Sequence, residues 1–232
     1  MINKIQAVIA RDAKECLHNM GLLTTIIMPL LMALLFARTG SAAGPEVSNM
    51  MFYIVLGVTF AAMTSSIGIS LLADENEHRT MDKFIRKRSD MTANVIGKSI
   101  LLMLITAVTV FLIIIIFNEI PAMTLEVVSG LILLAFFFLF MTLGFGLISE
   151  TLAVTSIYII VMLLVFGMGP YADLFFRAGD NIIITLLTYT PLYQNIRIHT
   201  GEFLQPVLVL LMWNAAALIF FMMAFNKKVK TI

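Results

Sequence analysis

Residues 49–73, NMMFYIVLGVTFAAMTSSIGISLLA, run without a charge into residues 74–90, DENEHRTMDKFIRKRSD, and the chain turns apolar again at 99–118, SILLMLITAVTVFLIIIIFN. The middle stretch packs ten of the chain's 29 acidic and basic residues into 17 positions. A helix needs about 20 consecutive apolar residues to cross the hydrocarbon core of a bilayer. The flanking runs therefore read as membrane spans, and the charged stretch between them reads as a connection in water.

The same grammar extends in both directions. Four more charge-free runs occupy 19–37, 127–149, 151–172 and 203–226. With 60% hydrophobic and 12% charged residues in 232, the composition belongs to an integral membrane protein. The runs are continuous rather than alternating, which excludes a β-barrel. The expected fold is all-α, a single membrane domain over 1–232 with six transmembrane helices. Residues 173–202 are too apolar for a solvated loop and are expected to dip into the outer leaflet as one or two short re-entrant helices before the last span. Asp180 is placed to cap the first and Pro191 to break it. Tyr189 and Tyr193 suit the head-group region.

Charge sets the orientation. With the N-terminus in the cytoplasm, six spans leave only Arg38, Arg177 and Arg197 outside and put the other twelve basic residues inside. Both termini and the charged stretch are then cytoplasmic. Residues 1–18 carry Asp12 and Glu15 and lack a cleavage pattern, so no signal peptide is expected. Ile2, Ile5, Ile9, Ala13 and Cys16 recur at helical spacing, which suits a helix lying in the inner interface with its apolar face in lipid and its basic residues toward head groups. Simple anchoring of the first span and a more specific coupling role both fit this helix.

Several chemistries find no support. His18, His78 and His199 fall on separate loops, and no nucleophile elbow or zinc-protease motif occurs. Catalytic residues, metal ligands and bound cofactors are therefore not expected on this chain. A net charge of +1 by itself argues nothing about nucleic acid, and no nucleic-acid partner is expected. Cys16 is alone and has no disulfide partner within the chain. No carboxylate, histidine or arginine lies inside the six runs, which argues against an ion-coupled carrier, and Glu150 falls in a turn. Gly97-Lys98-Ser99 imitates the end of a P-loop, but the required upstream glycine is Thr92 and no strand precedes it. Lys98 reads instead as a snorkelling residue at the inner end of the third span.

Within the second span, Gly57, Ala61 and Ser65 form a small-residue stripe suited to close helix packing. Thr59, Ser66 and Ser70 lie along another face, where they could border a translocation path or bond back to the preceding turn. In the charged stretch, Met81, Phe84 and Ile85 share one helical face rimmed by charge. Such a face suits docking into a groove of a soluble partner. A solvated loop touching anionic lipid through Arg86-Lys87-Arg88 is the alternative.

The order of residues there resembles the cytoplasmic motif of ABC-2 type transporter permeases, roughly E-x-E-x-G-T-L-E-x-L-L followed by a proline and then G-K at the next span. Glu75, Glu77, Thr80, Met81, Asp82, Phe84, Ile85, Gly97 and Lys98 match without a gap; the usual glycine is Arg79 and the usual proline is Arg88. The resemblance extends to the N-terminal amphipathic helix, the six spans, the small-residue turn at 144–149 and the re-entrant helices. It implies that 74–90 is a coupling helix, with Glu75, Glu77, Thr80, Met81, Asp82, Phe84 and Ile85 docking on an ATPase. It also implies separate ATPase subunits carrying ATP and Mg, pairing with a second copy or a sister permease, and export. The small outer loops and the methionine- and phenylalanine-rich interior favour an amphipathic or hydrophobic substrate such as a peptide, a drug or a lipid-like molecule. Antimicrobial-peptide resistance and sodium export fall within the same family. An ATP-independent channel or carrier, or a scaffold that recruits a soluble protein, is the alternative from another class.

Overall fold

In lipid, apolar runs can satisfy their own backbone only as helices or closed barrels, and every described element of regular structure is helical. The computed structural model describes residues 1–78, 87–170 and 186–231. Helix α1 (Ile2–His18) is followed by α2 (Met20–Ala43) and α3 (Pro45–Gly57). A π-helical segment, Val58–Thr64, joins α3 to α4 (Ser65–Glu77) in one continuous run. Then come α5 (Arg88–Phe117), α6 (Leu125–Ile148) and α7 (Leu152–Met162), which continues as a second π-segment, Leu163–Gly167. Helices α8 (Pro191–His199) and α9 (Leu204–Thr231) complete the order.

Among the described residues, five helical runs are long and apolar enough to cross a membrane: Met20–Gly40, Val47–Glu77, Arg88–Phe117, Leu125–Ile148 and Leu204–Lys230. The fifth expected span, 151–172, differs. Its described helix, Leu152–Gly167, is shorter, roughly 24 Å at 1.5 Å per residue against a core of about 30 Å. Residues 171 and 172 lie outside the described residues, as do Asp173–Thr185 with Asp180. Residues 186–188 are helical; after two intervening residues Pro191 opens the next helix, at the first position of α8 behind Thr190. That is where its missing N–H is harmless.

Local chemistry sets the helix ends. The Asn19 side chain accepts from the amides of Gly21 and Leu22 at 3.0 and 3.4 Å and caps α2. Asn118 closes α5 in the left-handed region at φ 58°, and the Glu119 amide reaches back to the Ile114 carbonyl at 3.0 Å.

Val47–Glu77 is the most buried of the five runs and forms the centre of the bundle. Its half nearer α3 packs with Phe117, Phe137, Phe138, Phe166 and Leu192. Rings there interlock, with Phe60 stacked on Phe138 at 5.7 Å and Phe137 edge-on to Phe166 at 5.0 Å. Its half nearer α4 packs with Cys16 of α1, Leu22, Met91, Val95, Leu143, Leu147 and Phe225. Helices α2 and α9 lie outermost and expose large apolar side chains such as Leu34, Leu35, Met212 and Met223.

The N-terminal helix corrects one expectation. Its apolar side is turned only in part toward lipid: Cys16 is buried in the second core cluster, Ile5, Ile9 and Ala13 are half-buried, Ile2 is exposed, and α1 packs chiefly along α5.

Candidate functional site

Consecutive side chains on an α-helix are about 100° apart. The last three residues of α4, Glu75, Asn76 and Glu77, therefore sweep more than half the helix circumference, and each engages a different neighbour.

Glu75 is 7% exposed and turns inward. Its Oε1 pairs with Lys98 Nζ of α5 at 3.2 Å and with the Arg11 guanidinium of α1. Its Oε2 accepts from Asn94 Nδ2 at 2.8 Å. Lys98, 1% exposed, also pairs with Asp12 Oδ2 at 2.8 Å. Asp12 is fully buried and accepts from Arg11 Nε at 2.8 Å. Two acids and two bases thus interlock α1, α4 and α5, each carboxylate meeting both cations. Burying such charges is costly unless each finds its partners, and here the partners come from three separate helices. The sequence expectation for Lys98 is overturned: it does not snorkel to water but is sealed beneath α1.

The close approach of α1 depends on Gly97. A Cβ there would lie 2.8 and 2.9 Å from Val8 side-chain atoms and 3.3 Å from the Ile5 carbonyl oxygen. The glycine and lysine that imitate a P-loop therefore form a helix seat, with Gly97 giving room and Lys98 giving charge. At the other end of α1, Lys4 Nζ pairs with Asp90 Oδ1 at 2.6 Å.

Burial and neighbouring charge shift the groups around the seat. Burial works against the Arg11 cation, but Glu75 and Asp12 outweigh it and raise its pKa. Burial, then the nearby Asp74 carboxylate, raises Glu15. Burial and then Asp12 push the Cys16 thiol up to about 11.

Asn76 and Glu77 face the opposite way. Asn76 Nδ2 donates to the Ser149 carbonyl at 2.6 Å and to the Gly146 carbonyl at 3.3 Å, the free carbonyls at the end of α6. Glu77 Oε2 accepts from the Leu152 amide at 2.7 Å. Leu152 is the first residue of α7, whose own N-cap, Thr151, supplies no side-chain bond. A carboxylate from another helix thus caps α7, where the helix dipole favours negative charge.

Of the residues singled out in the sequence, Glu75 and Glu77 take part in this junction, while Thr80, Met81, Asp82, Phe84 and Ile85 lie outside the described residues. Thr59, Ser66 and Ser70 are not brought into it. Thr59 is fully buried and donates to the Val55 carbonyl at 2.8 Å, whereas Ser66 and Ser70 are half-buried. A different set of hydroxyls meets in the core. Thr64 donates to the Thr59 carbonyl at 3.0 Å and lies 2.8 Å from the Thr106 hydroxyl. Thr142 donates to Ser65 Oγ at 3.2 Å. The Thr59 carbonyl lies five residues back from Thr64, the register of the Val58–Thr64 π-segment, and π-segments gather at functional sites.

Sequence reasoning missed Arg11, Asp12, Asn76 and Asn94 as partners of this site. One signal was available: Asp12 interrupts the apolar face formed by Ile5, Ile9 and Cys16. Among the described residues, no group of three or more histidine, cysteine or acidic side chains is arranged to hold a metal. No protein-family profile and no curated protein matches the chain.

Proposed function

We propose that the chain is the permease subunit of an ATP-driven exporter in a bacterial cytoplasmic membrane, working with a separate ATPase that holds ATP and Mg. In this reading both termini face the cytoplasm, two permeases pair, and six crossings form the gated path. The substrate is amphipathic or hydrophobic, in keeping with outer connections too small for a folded domain and an interior rich in methionine and phenylalanine.

One observation carries the proposal. The segment whose residue order resembles an ATPase-docking motif begins at Glu75–Glu77, and there α4 is tied to α1, α5, α6 and α7. A docking segment needs a rigid attachment to the helices it moves, and this junction supplies one. Met81, Phe84 and Ile85 then form the docking face, while Glu75 and Glu77 anchor it from within the membrane domain.

Purification from native membranes tests the reading. A tagged chain is expected to bring an ATPase with it, and flux is expected to stop when that ATPase cannot hydrolyse ATP. Phe84→Asp is expected to release the ATPase while the permease stays folded. A chain that purifies without an ATPase and sustains flux without hydrolysis would sink the proposal.

A further inference from the structure

We infer that Asn76 and Glu77 are positioning residues that make the α6–α7 corner follow the ion cluster around Glu75, so that a displacement of α1 is felt at the start of α7. The inference deepens the permease reading and rests on it only for what drives the displacement in the cell. The link itself is a property of this chain.

The geometry supports transmission in three ways. First, Glu75, Asn76 and Glu77 are consecutive, so a change in how α1 and α5 hold Glu75 acts on the same helical turn that holds the corner. Second, the corner has firm attachments there: the Ser149 carbonyl at 2.6 Å from Asn76 and the Leu152 amide at 2.7 Å from Glu77. The Glu77 bond is charge-assisted, and bonds of that kind are the strong ones. Third, α7 is also held at its other end. A Cβ on Gly57 would lie 2.3 Å from the Gly167 carbonyl oxygen, so the two backbones touch there and leave no room for a side chain. Leu152–Gly167 is therefore fixed to the central helix at both ends, by a carboxylate at one and by glycine contact at the other. Two such fixed points make the pair move as one body, because packed interfaces shift between discrete arrangements rather than deforming continuously.

The Leu152 amide gives the test its readout. The first amides of a helix have no acceptor within it, so protection of this one reports directly on the Glu77 carboxylate. Hydrogen exchange resolved to single residues is measured on the purified full chain. Glu77→Ala is expected to speed exchange at Leu152 by roughly tenfold or more, the loss of one charge-assisted bond. Glu77→Gln, which keeps an acceptor, is expected to fall between. Unchanged protection in Glu77→Ala overturns the capping contact.

Transmission is read from a double-mutant cycle. Asp12→Asn weakens the ion cluster on α1, and Gly97→Leu displaces α1 sterically if the charge change proves too disruptive. Either is expected to speed exchange at Leu152 in the native background and to add little once Asn76→Ala and Glu77→Ala are both present. No effect of either perturbation at Leu152 overturns the inference. So does a shift in the remaining first turn of α7 that persists at full size without Asn76 and Glu77. The cycle needs no ATPase: a chain that purifies with one yet shows no coupling keeps the permease reading and loses this link, and the reverse outcome separates them equally well.

Discussion

At the residue scale, Lys98 and Asp12 carry the most weight. Lys98→Met leaves two buried carboxylates with only Arg11 between them, and breaking a buried pair in this way costs about 3–5 kcal/mol. Denaturant unfolding of the solubilised chain measures it, and the Asp12→Asn/Lys98→Met double variant is expected to recover part of the loss. Cys16 reports on the same seat. Buried, with its thiol pushed up to about 11, it is expected to react slowly with a maleimide at pH 8. Lys98→Met is expected to speed that labelling as α1 loosens. Glu15 works in the opposite sense to a paired carboxylate. Its folded pKa is raised, first by burial, so its contribution favours the fold in acid and is lost as pH rises through that pKa. Glu15→Gln is therefore expected to melt higher than the parent at neutral pH and to converge with it below the ordinary glutamate range.

At the scale of elements, two glycine contacts decide which helices lie together. Gly97→Leu is expected to push α1 off α5 without removing any charge, and faster Cys16 labelling would register it. Gly57→Leu should separate the central helix from Leu163–Gly167. Trp213, the chain's one tryptophan, sits edge-on to Phe166 at 5.4 Å in that second π-segment. A shift in its fluorescence emission checks the separation, and unchanged emission would show that the contact adapts.

At the scale of the whole molecule, the two ends of the bundle are built differently. The α1 end is held by ion pairs. The opposite end joins neutral groups in its interior, with the Arg197–Glu202 ion pair at its surface: the Tyr53 hydroxyl lies 2.9 Å from His199 Nδ1 and 3.2 Å from the Asn195 carbonyl, and Asn195 Nδ2 donates to the Gly130 carbonyl at 3.1 Å. Burial lowers the His199 pKa, with Glu119 offsetting part of the shift. A histidine depressed in the fold takes up its proton more readily when unfolded. Its contribution is therefore present above about 6.5 and lost as pH falls through the folded value. Acidification below pH 6.5 is expected to lower the melting temperature, and His199→Gln to flatten that dependence.

The helices and their order were legible because the signal is local. Twenty apolar residues must be helical in lipid wherever they sit in a chain, so the runs at 19–37, 49–73, 99–118, 127–149 and 203–226 match the five long helices with at most one residue of each run left over, while 151–172 yields a shorter one. Residue order also singles out Glu75 and Glu77, but for docking on a partner and not for the contacts they make within the bundle. Their partners there could not be read. Asp12 and Lys98 stand 86 residues apart, Arg11 and Glu75 stand 64 apart, and Glu77 reaches 75 residues on to Leu152. A charge next to an apolar run looks the same whether it snorkels to water or is buried against an opposite charge. The difference lies in whether another helix brings that charge within about 3 Å, and no local pattern records it. Local pattern alone makes this chain a set of apolar helices broken by one dense charged stretch. That α1 seals Lys98 against α5, and that α4 ends in a junction of five helices, comes from contacts between residues far apart in the chain.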